Sequence, residues 1–102
     1  MADKICKSST NIIAETLSLS NLTDTIAPGN SKEYTLPLAK TGYIPLGILA
    51  IYKGGSGNGI AVISRYYITS TNNAVILFSN PNGNTGTANI TSVEIKVLYV
   101  KV

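Results

Sequence analysis

Asp3, Glu15, Asp24, Glu33 and Glu94 are the only carboxylate side chains in this 102-residue sequence, and it contains no histidine. Two carboxylates meeting across a sugar would make a glycoside hydrolase. These five fall in separate segments, and none follows a nucleophile motif. Without histidine, the usual agent of general acid–base catalysis is missing too. Cys6 is the single cysteine, so it closes no intrachain disulfide and lacks the spaced partners of a zinc site. An activated thiolate would want an electropositive base partner, and Cys6 reads as an inert thiol. The residues predict no enzymatic activity, no metal and no cofactor.

Two stretches imitate binding motifs. GGSGNG at 54–59 has the composition of a phosphate-cradling loop, but such loops run into a helix whose N-terminus holds the anion. Here the residues that follow, IAVISRYYIT, read as a strand, so 54–59 is expected to be a hairpin loop with Asn58-Gly59 supplying positive φ. Arg65-Tyr66-Tyr67 is the one place where a cation and aromatics cluster, a combination that can stack on sugars or bases. Alternation sends Tyr66 to the face opposite Arg65 and Tyr67. The expectation is that Tyr66 is core and the other two belong to an interface or its rim.

The elements that must carry these residues are strands. The chain is 44% hydrophobic and 13% charged, which excludes a disordered chain. No window keeps helical periodicity for three turns. Runs at 12–21, 32–38, 43–53, 60–69, 74–79 and 90–102 are separated by Gly, Asn, Ser and Pro. They predict one all-β domain over 1–102, with 1–11 set apart as an N-terminal arm. The architecture expected is an antiparallel β-sandwich, jelly-roll or Ig-like, of six to seven strands. The cations are few and scattered despite a net charge of +3, so no nucleic-acid partner is expected. Nothing reaches membrane-spanning length or resembles a signal peptide, so no membrane partner is expected and synthesis in a cytoplasm is.

TGYIPLGILAIY at 41–52 departs from the pattern of a half-wet sheet, because both alternating faces are apolar. The runs 60–68 and 74–78 share the property. With no helix to cover the second face, either these strands are central with long loops folded over them or, as expected here, another copy of the chain is the cover. The interface expected on this ground is Leu46, Ile48, Leu49, Ile51, Ile63, Arg65, Tyr67, Val75 and Leu77. If the strands alternate in direction, connections 22–31, 54–59 and 80–88 gather at one end and turns 39–42 and 70–73 at the other. Asn58, Asn80, Asn82 and Asn84 would then offer amides to sugar hydroxyls on exposed loops.

From residue 28 onward the chain resembles short structural and fibre-tip modules of tailed bacteriophages, especially those of gut bacteria. The likeness rests on APGNSKEYTLPL, the GYIPLGI segment at 42–48, YYITSTNNAVILFSNPN, and the closing SVEIKVLYVKV. The resemblance implies an all-β, often trimeric module of a virion: a tail or head fibre, a receptor-binding tip, or a capsid decoration protein. It also implies partners among other virion proteins and a host surface glycan. The alternative is a free-standing carbohydrate-binding or adhesion β-sandwich. No cluster of acids stands ready for calcium in a lectin.

Overall fold

The computed structural model describes residues 11–57, 59–81, 83 and 86–102. It is all-β, with eight strands: β1 Ile12–Leu19, β2 Asp24–Ile26, β3 Ser31–Pro37, β4 Tyr43–Gly54, β5 Val62–Ile68, β6 Asn73–Ser79, β7 Ala88–Ile90 and β8 Ser92–Lys101. The six or seven expected strands become eight because β2 lies in a stretch expected to be a loop, and β7 takes in the end of the expected loop 80–88 and the first residue of the expected last strand. Only three residues each, they are too short to show a period in the sequence. The arm at 1–11 lies outside the described residues except for Asn11.

One long antiparallel ribbon organises the chain. Its register runs from Ile12 opposite Val100, through Ile26 opposite Ala88, to Pro37 opposite Asn73. The ribbon folds over at β2 and β7, so its two ends stack as layers of a small sandwich. One layer has strand order β1-β8-β4, the other β3-β6-β5, and the β2-β7 pair spans the fold. The residues between the ribbon's arms turn back on it. β4 runs antiparallel beside β8, and β5 antiparallel beside β6.

Alternation along the ribbon builds the core. Val93, Ile95, Val97 and Tyr99 of β8 meet Tyr34 and Leu36 of β3 and Ala74, Ile76 and Phe78 of β6, with Ile26, Ala88 and Ile90 at the fold-over. Each fully buried aliphatic side chain contributes about 1.5–3 kcal/mol. Glu94 and Lys96 stay exposed between them. The β5–β6 hairpin turns through Asn72, whose φ of 61° is tolerated because the side chain is short and polar.

Asn80 fastens the fold-over. Its Nδ2 donates to the carbonyls of Ile26 and Gly86, each at 2.9 Å. Its main chain bonds to Gly29 and Asn30 across the ribbon. It is 1% exposed, so the expectation that Asn80 offers its amide to a ligand is corrected: its NH2 group is spent on two main-chain carbonyls at the bend. Asn58, Asn82 and Asn84, the other three residues of that expected set, lie outside the described residues.

Replacing Asn80 by Ala removes two buried side-chain hydrogen bonds, each worth about 0.5–1.5 kcal/mol. The expected loss is about 1–3 kcal/mol in urea denaturation. An unchanged midpoint would show that the bend holds without this amide.

Candidate functional site

The site is built on β4 and β5, the edge strands on one flank of the sandwich. They were expected to form a hairpin, but they sit in different layers and do not pair. The link between them packs instead on β7. Thr91 N donates to Gly54 O at 3.0 Å, and Gly59 N donates to Thr87 O at 3.1 Å. A Cβ at Gly55 or Gly59 would run into main-chain atoms of Asn89 or Gly86, which is why this stretch is glycine-rich. Positive φ occurs at Gly55 and Gly57, not at Gly59.

Strict alternation fails on β4. Pro45, Ile48 and Ile51 face Tyr99, Val97 and Ile95 of β8, whose side chains are wholly buried. The inward residues of β4 therefore come every third position. Register shifts at Pro45/Gly47 and Ile48/Ala50 each insert one residue and turn the next side chain outward. Leu46, Leu49 and Tyr52 follow the same step of three and are 54–58% exposed. The apolar second face is real, but its members are not those that a period of two assigns. Ile48 and Ile51, expected at the interface, pack half-buried against the core.

β5 is exposed along nearly its whole length. Ile63, Tyr66 and Tyr67 are 42%, 55% and 45% exposed, and Ile60 and Val62 stand out just before them. Arg65 and Tyr67 do share a face, opposite Leu77 and Val75. Tyr66 lies opposite Ile76 on the inward side, yet it is not core, because at that edge it faces the gap between β5 and β4. Val75, also expected at the interface, is buried within the single chain, with Thr35 and Tyr67 paired on either side of it. Leu77 is half-buried between Glu33 and Arg65.

Between the two edges runs an open apolar cleft with two hollows of about 200 and 260 Å³ that share Ile48 and Tyr66. Leu49, Ile51 and Ile63 line the first, and Leu46, Tyr67 and Ile68 the second. Among the described residues, the only large exposed hydrophobics away from β4, β5 and their link are Ile12 and Val102. Charge is kept to the rim. Arg65 pairs with Glu33 at 3.7 Å and lies 5.8 Å from the centre of the Tyr67 ring. Both partners are solvent-exposed, so the pair contributes little to stability.

The other flank is closed. Lys40, in the turn after β3, pairs with Glu15 of β1 at 2.7 Å and lies 5.2 Å from the centre of the Tyr43 ring. Tyr43 meets Tyr99 edge-on, and Tyr99 donates to Leu38 O at 2.7 Å. Hydrogen bonding to Glu15 holds the Lys40 ammonium above its ordinary pKa.

At the fold-over, Gly54 and Gly59 bond to the chain flanking β7, and β7 pairs with β2. Together they enclose a shallow hollow of about 200 Å³, with Thr23, Thr25, Ser56 and Thr91 hydroxyls beside Asp24 and Asn89. Connections 22–31, 54–59 and 80–88 do gather at this end, as expected from alternating strand directions, but the hollow's own residues Thr23, Thr25, Ser56, Asn89 and Thr91 were not singled out in the sequence. Asp24 accepts a hydrogen bond from Tyr34 at 2.8 Å. Among the described residues, no three His, Cys, Asp or Glu gather closely enough to hold a metal. Searches of protein-family models, curated proteins and solved structures find no match to this chain.

Burial and the bond to Asp24 push the Tyr34 phenol well above its ordinary pKa, and burial followed by the charge of Glu15 raises Tyr99, with Lys40 opposing. An unfolded tyrosine ionises near ~10. Above that pH the unfolded chain loses protons that the folded chain retains, so the stabilisation is complete below ~10 and falls as pH rises past it. Denaturant midpoints are expected to drop above that pH, with a shallower drop in Tyr34→Phe. A flat profile to pH 11 would contradict the assignment.

Proposed function

We propose that the chain is a non-enzymatic structural module of a tailed-bacteriophage virion that acts by self-association, as a trimer, and by surface binding. The single observation that carries the association is the open apolar flank formed by β4 and β5. A contiguous apolar surface of this kind marks an interaction site. At about half exposure each, its large side chains present on the order of 800 Å², about what one partner contributes to a stable protein–protein interface. The β3 edge is quieter: it carries Lys32 and Pro37, which discourage strand addition.

Placement in a virion, and the number three, rest on the resemblance of residues 28–102 to phage structural and fibre-tip modules. An all-β body with one apolar flank is suited to a fibre, tip or decoration role, where copies pack around an axis and leave their loops outward. The fold-over end supplies such an outward surface, with the hydroxyls of Thr23, Thr25 and Ser56 available to a host glycan or a neighbouring virion protein.

Light scattering on the purified chain at micromolar concentration is expected to give three times the chain mass, and a persistent monomer would remove the proposal. Immunogold labelling with an antibody to the chain is expected to mark assembled phage particles.

A further inference from the structure

We infer that the cleft between β4 and β5 is filled by side chains from the same flank of a second copy, so that assembly completes the interior of each chain. The inference rests on the self-association reading and adds what fills the cleft and what filling it does.

The cleft opens onto the core. Ile48, Ile51 and Ile68 line its hollows and pack against the buried cluster, yet each is only half-buried in the single chain. The two layers are thus joined on the β1–β3 flank and left apart on this one. Within the chain β4 and β5 belong to different layers and do not pair, so the gap between them stays open.

Three observations select a second copy as the occupant. The cleft is uncharged and Arg65 is held by Glu33 at its rim, so a like surface approaches without repulsion. The apolar area matches one side of a standard interface. Elsewhere among the described residues, large exposed apolar side chains are confined to Ile12 and Val102, so a second copy can cover this flank only with its own. A foreign strand pairing along either edge fits less well. Pro45 has no N–H to give, and register shifts at Pro45/Gly47, Ile48/Ala50 and Ile63/Arg65 break the regular ladder. Three flanks turned toward a common axis, the β4 side of one against the β5 side of the next, satisfy these conditions.

The test uses the full chain, with Leu49→Glu and Tyr66→Glu as separate variants. Both positions are 55% exposed, so the single chain should accept either charge, while burial in the assembly is costly. Sedimentation equilibrium is expected to show association weakened at least ~100-fold in both. The wild-type unfolding temperature is expected to rise with protein concentration, and the variants should lose that dependence. Leu49→Ala and Tyr66→Ala provide milder cuts should a glutamate disturb folding, and each is expected to weaken association about tenfold. Ile12→Glu, away from the flank, should associate like the wild type. A wild-type oligomer that all four flank variants leave intact overturns the inference and spares the self-association reading. A wild type that is monomeric at every concentration overturns both.

Discussion

The antiparallel ribbon that pairs β1, β2 and β3 with β8, β7 and β6 is the constraint on which the rest of the molecule depends. Its register spends one edge of β8 on β1 and one edge of β6 on β3. The chain between the ribbon's arms can then pair only on the edges that remain, β4 on β8 and β5 on β6. Because β8 and β6 belong to different layers, two strands adjacent in sequence are separated in space. The open flank follows from this division.

Polar and apolar surfaces are distributed to match. Where the ribbon folds over, Asn80 satisfies the carbonyls of Ile26 and Gly86, and glycines at 54–59 let the connecting chain lie on β7. Where β1 and β3 meet, Lys40, Glu15, Tyr43 and Tyr99 close the layers with an ion pair, an edge-on ring contact and a phenol bonded to Leu38 O. Neither device occurs between β4 and β5. The two bulges of β4 serve there in a double capacity. They interrupt the regular edge that would template indiscriminate strand addition, and they turn Leu46 and Leu49 outward. Apolar contact is thereby offered through side chains, which discriminate by shape, instead of through main chain, which does not.

Such a surface agrees with a protein that works by packing against copies of itself. The acids of the described chain have structural roles where they have partners: Glu15 on Lys40, Asp24 under Tyr34, Glu33 on Arg65. The polar hollow at the fold-over and the apolar cleft along the flank lie on different parts of the molecule, so assembly through the second leaves the first accessible.

The sequence by itself determined the all-β class and six of the eight strands, because β-branched runs broken by Gly, Asn and Pro leave no helical period. It also determined that Arg65 and Tyr67 share a face and that 43–52 carries apolar side chains on a second, outward face. Tertiary structure decided which residues form that face. Pairing with Tyr99, Val97 and Ile95 imposes the step of three on Pro45, Ile48 and Ile51, and the isolated Gly47 beside the first bulge was the one local hint of it. Tertiary structure alone also removed Val75 to the interior, drew Tyr66 out to the cleft, and buried Asn80 among carbonyls. Those fates depend on which strand lies opposite, and pairing between residues dozens of positions apart is set by the whole ribbon's burial, not by any local pattern.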